Sequence, residues 1–444
     1  MSISGKVNST GQSRWYVAAL CFLTFLCASI DRHILGLLVE PMQRDLGISD
    51  MMFGLMAGGG FLLLYVIASF PAGRLVDAKS RPHLLAGAVL IWSLATLTTG
   101  LASTFAGIFL LRMMVGFGEA MVGPASNSMV ADLFDRHYLA RALSLLAYGG
   151  TLGAGLTSIL TSTLYALAGG DHRFALPLLG DVSIWQAVFI IAGLPGLVLA
   201  PLLWFTVRDP PRRRVLQDAG GQPVIAGLSQ LVRFLRARQR LCLWMLCGYG
   251  CYSIASSSLM VWLPTYFVRA HAMPVRTVGL WLGCAYIGIG LVTMLLNSRF
   301  IDKRLQRGQA SAPIRLARAY AIAGIIPAIS LSLIDRPILA LLTGGALLFL
   351  ASGFLTVSIA LPRLWPNQIR GQVTALHLIV FHTAGGMGGP LLIGMANDML
   401  FGPQAIGTSL SLLISPMLIA AGAFLSLSIV PYERAAHDID RISN

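Results

Sequence analysis

Charged residues are scarce in this chain of 444 residues, because Asp, Glu, Lys and Arg together make up 11% of it while apolar residues make up 56%. A water-soluble protein of this size carries about a quarter of its residues as charges. The scarcity of charge excludes a soluble enzyme, and the apolar excess excludes a disordered chain. The composition therefore predicts an integral membrane protein.

Acidic residues are fewer than basic residues: the chain has 18 Asp and Glu against 32 Lys and Arg, which gives a net charge of +14. The basic residues form no single patch and accompany no base-stacking aromatic motif, so we expect no nucleic-acid partner. They alternate with long apolar runs, an arrangement typical of membrane topology signals.

Cysteine is also sparse. The six cysteines lie inside apolar segments, where thiols usually pack as small hydrophobic side chains. Cys247 and Cys251 are one helical turn apart but lack His or acidic companions, so we predict no metal site and no cofactor.

The sequence also lacks a nucleotide-binding loop and a nucleophile–base pair, which argues against an enzyme. The first apolar run carries Asp31 and Arg32 and no small-residue cleavage site, which predicts a membrane span rather than a signal peptide.

Twelve apolar stretches approach or exceed the ~20 residues that an α-helix needs to cross the hydrocarbon core. They lie near residues 15–39, 53–72, 84–104, 105–130, 139–167, 184–206, 241–268, 278–297, 314–334, 337–361, 371–397 and 406–430. The predicted fold class is an all-α membrane protein with twelve transmembrane helices in two six-helix bundles. The predicted domains are an N-terminal bundle (1–206), a linker (207–240) and a C-terminal bundle (241–444).

The positions of Lys and Arg predict the orientation. With both termini on one side, 25 of the 32 basic residues fall in segments on that side and five on the other, while Arg32 and Arg112 lie within spans. Basic loops stay in the cytoplasm. We therefore expect cytoplasmic termini and a cytoplasmic linker, in the inner membrane of a bacterium. Two similar halves joined by such a linker are typical of secondary transporters.

An internal repeat supports two related halves. Gly73-Arg-Leu-Val-Asp77 at the end of span two is similar to Ser298-Arg-Phe-Ile-Asp302 at the end of span eight. A small residue lets two helices approach, and a carboxylate there can pair with arginines and hold one conformation. We predict a conformational latch, and its residues are Gly73, Asp77, Arg81, Arg141 and Asp302.

The loop Gly73-Arg-Leu-Val-Asp77-Ala-Lys-Ser-Arg81 resembles the G-x-L-x-D-R-x-x-R-R loop of the major facilitator superfamily, although Ala78 and Pro82 replace basic residues of that pattern. A narrower resemblance, to the Spinster-like branch, rests on Asp31-Arg32, on Gly116-Phe-Gly-Glu119-Ala120 with Pro124, and on Trp262-Leu-Pro264. His33 stands where that branch usually has Asn. The resemblance implies transport of lysophospholipids or sphingosine-phosphate-type lipids by alternating access, in some members coupled to protons.

Four ionisable residues lie deep in the predicted spans of the first half: Asp31, Arg32, Arg112 and Glu119. Such residues almost always face a cavity or a partner, because burying an unpaired charge costs several kcal/mol. A helix rises 1.5 Å per residue, so Asp31 lies ~12 Å from the end of span one and Arg112 lies ~10 Å from the start of span four. Both of these helix ends meet the same membrane surface. We therefore predict a contact between Asp31 and Arg112.

These positions suggest roles. We expect Asp31 and Glu119 to be the proton-coupling pair, and Arg32 or Arg112 to compete with protons and to bind an anionic headgroup. The alternative is that all four form a static network that joins spans one and four. The residues expected to bind substrate are Arg32, Arg112, His33, Tyr252, Ser256 and Trp262.

The expected partners are the lipid bilayer, protons and an amphipathic or lipid substrate, with the protein as a monomer. Three functions stay open: a proton-coupled carrier of a lysolipid or other amphipathic anion, a carrier of a small organic acid or aromatic carboxylate, and a membrane receptor or scaffold. The intramembrane acids argue against the receptor. A single charged half favours the amphipathic anion over the small acid.

Overall fold

The computed structural model describes residues 13–168, 173–176, 180–212, 235–360, 373, 376–377 and 379–443. The chain divides into two compact units. The first comprises Met1–Val215 with Pro274–Ile287, and the second comprises Leu216–Met273 with Gly288–Asn444. Residues 213–234 of the expected linker lie outside the described residues.

The first unit is built from helices and one short hairpin. Its elements are α1 (Arg14–His33), a 3₁₀ turn (Ile34–Leu37), α2 (Val39–Leu46), α3 (Asp50–Leu55), a π turn (Met56–Gly60), α4 (Phe61–Ala78), α5 (Arg81–Thr99), α6 (Phe105–Glu119), α7 (Val122–Leu133), α8 (Arg136–Ala168), β1 (Arg173–Leu176), β2 (Gly180–Ser183) and α9 (Ile184–Thr206).

The second unit follows the same helical plan. Its elements are α10 (Gln239–His271), α11 (Val275–Gln306), whose first part groups with the first unit, α12 (Ala312–Ser330), α13 (Pro337–Ala351), α14 (Gly353–Ala360), a π turn (Phe381–Gly388), α15 (Gly389–Ala396), a π turn (Asn397–Phe401), a 3₁₀ turn (Pro403–Ala405) and α16 (Ile406–Ser443).

Capping residues determine where several helices begin. Ser49 accepts a hydrogen bond from the backbone N–H of Met52 at the start of α3, and Thr104 accepts one from Gly107 at the start of α6. Ser183 and Gln186 form a capping box at the start of α9. These side chains satisfy N–H groups that a helix cannot satisfy internally.

Among the described residues, nine helical segments are long and apolar enough to cross a membrane. They are Arg14–Leu37, Asp50–Ser69, Arg81–Thr99, Phe105–Leu133, Arg141–Ala168, Ile184–Thr206, Val275–Gln306, Ala312–Ser330 and Pro403–His437. Three further predicted spans correspond to α10, to α13 with α14, and to the helical turns from Phe381 to Phe401. The all-α, multi-pass architecture predicted from the sequence is confirmed.

The loop between α8 and α9 contains a hairpin that the sequence did not predict, in which Arg173 pairs with Ser183 and Leu176 with Gly180. Its second strand leads into Trp185, whose Nε1 donates to the Asp45 carboxylate over 2.8 Å. The Ser183 hydroxyl donates to the same carboxylate. Asp45 therefore ties the segment after α1 to the start of α9.

The first unit also includes a close glycine contact. A Cβ on Gly155 of α8 would lie 2.9 Å from the carbonyl oxygen of Gly283 in α11, and a Cβ on Gly283 would lie 3.0 Å from the carbonyl oxygen of Gly155. Small residues allow such close backbone approach between membrane helices. This contact explains why Pro274–Ile287 groups with the first unit.

The two units repeat one ion pair. In the first, Arg81 at the start of α5 donates to Asp209, which follows α9, over 2.7 Å. In the second, Arg315 in the first turn of α12 donates to Glu433 near the end of α16 over 3.0 Å. We name these two pairs the bundle clamps. Each clamp joins the third helix of the predicted six-helix bundle to the sixth.

Candidate functional site

Three irregular turns of the first unit accompany its buried charges. Helix α1 ends at His33 and continues as a 3₁₀ turn, the π turn Met56–Gly60 precedes α4, and α6 ends at Glu119 just before α7 begins. Irregular turns inside membrane helices are tolerated where the backbone is covered by protein or lines a water-filled cavity, and π turns often mark functional sites. Asp31, Arg32 and Glu119 lie at or within a few residues of these helix ends, and Arg112 lies against Gly60 of the π turn.

Arg32 and Glu119 form an ion pair. The Arg32 Nε lies 2.6 Å from the Glu119 Oε2, so α1 is joined to the end of α6. The Glu119 side chain is fully buried, whereas 34% of the Arg32 side chain is accessible. Arg32 is thus the member of the pair that an arriving anion can reach.

Two aromatic rings support the arginines. The Arg32 guanidinium lies 5.3 Å from the ring centre of Phe61 and 5.7 Å from that of Tyr65. The Arg112 guanidinium lies 5.8 Å from the same Phe61 ring. A cation over an aromatic face is stabilised by the ring's quadrupole, more strongly away from water. Phe61 is therefore shared by both arginines, a role that the sequence did not predict.

Asp31 and Arg112 are in contact, as predicted from their depths. The contact differs in chemistry from a salt bridge, because an Arg112 amino group donates to the backbone carbonyl of Asp31 over 3.1 Å. Both side chains are almost completely buried. The Asp31 and Glu119 carboxylates lie close enough to interact electrostatically, and Arg112 interacts with both.

The cluster has unused hydrogen-bonding capacity. The Asp31 Oδ1, the Glu119 Oε1 and the Arg112 Nε are buried and have no hydrogen-bond partner among the described residues. Buried charged groups are normally saturated with hydrogen bonds, because an unsatisfied one costs at least 1–3 kcal/mol, as an order of magnitude. The two carboxylate oxygens can therefore accept a proton or a hydrogen bond, and the Arg112 Nε–H can donate to water or to a ligand group.

His33 packs beside this cluster. Its Nδ1 lies 2.9 Å from the carbonyl oxygen of Ser29, and its ring makes an edge contact with Tyr286 at 5.6 Å between centroids. The structure thus places His33 next to Arg32 in the sequence but bonded within its own helix. Its role in binding substrate stays a prediction.

Two glycines set the spacing of the helices around the arginines. A Cβ on Gly60 would lie 3.2 Å from the Cβ of Arg112, and a Cβ on Gly116 would overlap the carbonyl oxygen of Phe61. Only glycine lets α6 lie this close to the start of α4. The sequence showed a run of three glycines before Phe61 but not which helix they face.

The residues proposed from the second half lie around α10. The Tyr252 hydroxyl donates to the carbonyl oxygen of Leu350, and the Trp262 Nε1 donates to that of Pro390 over 2.9 Å. Both side chains are buried, so their polar atoms are satisfied by backbone groups of the same unit. The Ser256 Oγ is buried and has no partner among the described residues. Substrate binding by these three residues stays a prediction.

The latch residues are separated into two groups. Arg81 is buried and donates to Asp132 over 2.5 Å, to Asp209 and to the carbonyl oxygen of Pro210. Four others are exposed, on α4, α8 and α11: Gly73, Asp77, Arg141 and Asp302. The three charged side chains of this group form no hydrogen bond or salt bridge to other described residues. Arg81 therefore fastens one bundle, while the latch itself stays a prediction.

Within the described ranges, no three His, Cys, Asp or Glu residues are grouped as a metal ion would require.

A bundle of membrane-crossing helices that holds opposite charges in its interior is typical of secondary transporters. The family model of the Major Facilitator Superfamily matches residues 21–390. The chain belongs to this superfamily.

Curated relatives match over most of the chain. An "MFS-type efflux pump" of Mycolicibacterium smegmatis is 26% identical over 433 residues, which cover 95% of this chain and 94% of the relative. The human "Protein spinster homolog 1" is 27% identical over 88% of this chain and 74% of its own length. A "D-galactonate transporter" of Escherichia coli is 24% identical over 94% of this chain and 97% of its own length.

Solved structures agree on the fold. A bacterial homologue of the human lysosomal transporter Spinster, inward-facing and unoccupied, aligns with a TM-score of 0.75 at 20% identity, over 96% of this chain and 97% of the other. A D-xylose–proton symporter aligns with a TM-score of 0.72 at 16% identity, over 93% and 97%. The predicted twelve-helix fold is the one these proteins share.

Proposed function

We propose that this transporter moves a lysolipid or another amphipathic anion and couples that movement to protons. The observation that carries the proposal is the part-buried ion pair between Arg32 and Glu119, which lies beside a second buried carboxylate, Asp31, and a buried arginine, Arg112. The likeness to Spinster proteins supports the same class of transporter.

The ion pair supplies a proton-dependent switch. When Glu119 is ionised, it holds Arg32 through the 2.6 Å contact. When Glu119 accepts a proton, the attraction is lost, and the Arg32 guanidinium becomes available to an anion. The proton binds Glu119 and the anion binds Arg32, so each breaks the ion pair from its own side, and binding of one favours binding of the other.

Asp31 supplies the second proton site. Its carboxylate is buried, its Oδ1 has no hydrogen-bond partner among the described residues, and it interacts with Glu119. Two carboxylates that lie close together resist being ionised together. A proton that leaves Glu119 therefore has an acceptor nearby, which gives the cluster two protonation sites for one accessible arginine.

The surroundings of Arg32 favour an amphipathic cargo. Phe61 and Tyr65 place apolar ring surface directly beside the accessible guanidinium. An anionic headgroup can pair with the arginine while the adjoining part of the molecule packs on the rings. A strongly hydrated small acid would gain nothing from those rings.

A small organic acid is the second candidate. It is supported by the relative named as a D-galactonate transporter, which matches 94% of this chain. The two arginines that share Phe61 would then clamp one carboxylate.

Transport into proteoliposomes separates these candidates. Purified protein is reconstituted and tested for movement of a lysophosphatidic acid, a lysophosphatidylglycerol and a sugar acid, each with and without an imposed pH gradient. We expect gradient-dependent movement of a lysolipid. Movement of the sugar acid alone would replace the first candidate by the second, and movement that ignores the gradient in every case would refute proton coupling.

We further propose that the protein is a monomer in a bacterial inner membrane with both termini in the cytoplasm. The excess of basic residues on one side supports this orientation. Labelling of a cysteine introduced at Arg208, in inverted and in right-side-out vesicles, tests it. Reaction in right-side-out vesicles alone would reverse the orientation.

A further inference from the structure

Arg318 is a cation that has no counter-ion among the described residues of the second unit. Its Nε is buried, and the guanidinium has no hydrogen-bond or ion-pair partner among the described residues. It lies in the second turn of α12, three residues after Arg315 in a largely apolar helix. Arg318 as a whole is partly exposed, and a guanidinium whose Nε is buried without a partner favours a hydrogen-bonded anion.

The pairing of α12 with α16 shows where Arg318 lies. The two helices run antiparallel, because Arg315 contacts Glu433, Ile322 lies against Gly422, and the Ser411 hydroxyl donates to the carbonyl of Ile329. Residues 315, 322 and 329 are spaced by seven. Residue 318 is three after the first and four before the second, so it belongs to the same face. Arg318 therefore lies along the seam between α12 and α16, one turn beyond the Arg315–Glu433 clamp.

Glu433, the acid of the neighbouring clamp, is already engaged. The Glu433 Oε1 accepts hydrogen bonds from Arg315 over 3.0 Å and from the Ser311 hydroxyl over 2.5 Å. Arg434, the next residue along α16, is exposed and adds another positive charge at this end. Among the side chains that the structure describes at this end of the seam, one carboxylate stands against three arginines, so this end is cationic.

Beyond the arginines the same seam is exposed and apolar. On α12, Ile322 is 52% and Ile326 77% exposed, and on α16 Leu427 and Val430 are each about half exposed. In a membrane these side chains face acyl chains. The seam therefore presents a cationic end followed by an apolar wall, which matches the head and tails of an anionic phospholipid in shape and in charge.

We propose that the α12–α16 seam is a binding site for an anionic phospholipid of the surrounding bilayer. Its phosphate is held by Arg318, with Arg315 and Arg434 beside it, and its acyl chains lie along Ile322 and Ile326. The site lies in the second unit, apart from the Arg32–Glu119 cluster, and it does not depend on what the protein transports.

Lipid retention tests the site. The full-length protein is extracted from vesicles of phosphatidylcholine with a fifth phosphatidylglycerol, and the lipids that stay bound are counted by native mass spectrometry. We expect wild type to retain phosphatidylglycerol over phosphatidylcholine, and Arg318→Gln to retain about fivefold less of it, as expected for one basic residue at an anionic surface. Arg299→Gln, which removes an exposed arginine from α11, is the matched control and should retain the wild-type amount.

A second measurement removes folding as an explanation. The thermal unfolding midpoint is recorded with added phosphatidylglycerol, with added phosphatidylcholine and with inorganic phosphate. Phosphatidylglycerol alone should raise the midpoint of wild type and Arg299→Gln, and Arg318→Gln should have the wild-type midpoint in phosphatidylcholine but lose the increase. Equal retention and an equal increase in Arg318→Gln would overturn the proposal, and so would protection by phosphate equal to that by the lipid.

Discussion

The Nε of Arg32 lies 2.6 Å from the Oε2 of Glu119, and this contact joins the last turn of α1 to the last residue of α6. Both residues stand where a helix changes its hydrogen-bonding pattern. Breaking or forming this pair therefore affects two helix ends at once, and this makes it a suitable element for coupling protonation to movement.

Replacing Glu119 by Gln should remove the pH dependence of transport. The amide cannot ionise, so Arg32 is no longer released by a proton, and we expect cargo exchange without a pH gradient to continue while gradient-driven movement is lost. Both rates are measured in proteoliposomes. Glu40→Gln, which removes an exposed acid of α2, serves as the control. Gradient-driven movement by Glu119→Gln at the wild-type rate would assign the proton site elsewhere.

Replacing Arg32 by Lys should weaken cargo binding even though the charge is kept. A lysine cannot reproduce the planar contact with Phe61 and Tyr65 or the Nε bond to Glu119. We expect the apparent KM for cargo to rise about tenfold, which corresponds to about 1.4 kcal/mol. Arg44→Lys, at an exposed arginine with a loose 3.8 Å contact to Asp45, is the control. An unchanged KM in Arg32→Lys would limit this arginine to a structural role.

Replacing Gly116 by Ala should destabilise the first unit. Its new methyl group would collide with the Phe61 carbonyl, which is backbone and cannot rotate away. We expect a loss of about 1–3 kcal/mol, measured as a lower unfolding midpoint in detergent. Gly123→Ala in α7 meets nothing within 4 Å and should leave the midpoint unchanged or raise it. If both variants unfold at the same temperature, the helices are not held at the distance described.

Replacing Arg81 by Ala should be among the most damaging changes to folding in the first unit. It leaves Asp132 without its 2.5 Å partner and Asp209 without its 2.7 Å partner. Removing one member of a buried ion pair costs about 3–5 kcal/mol. Expression level and unfolding midpoint are measured beside Arg74→Ala, an exposed arginine on α4. Arg81→Ala would contradict the clamp if it folded as well as Arg74→Ala.

The sequence predicted the class of fold because span length and charge distribution are enough to identify membrane helices and their order. It also predicted that Asp31 and Arg112 lie at one depth, since the rise per residue is fixed in a helix. It did not predict the pairing of Arg32 with Glu119. That pairing depends on the rotation of α1 about its axis and on the end of α6 at Glu119, and neither follows from an average helical period.

Other features were missed because their signals are local or short. The strands Arg173–Leu176 and Gly180–Ser183 have four residues each, too few for an alternating pattern to stand out. Phe61 was missed because an aromatic residue in a membrane span is ordinary. Its role is visible only in the structure, where Arg32 of α1 and Arg112 of α6 both lie beside its ring.

The two bundle clamps have a consequence for how the chain is put together. Arg81 with Asp209, and Arg315 with Glu433, close corresponding helices at matching ends of their own bundles, so neither half borrows the other's residues for this purpose. If the gene were divided in the segment that connects the two bundles, each fragment would keep its own clamp. This is expected if an ancestral six-helix unit that already had the clamp was duplicated and the two copies were then joined.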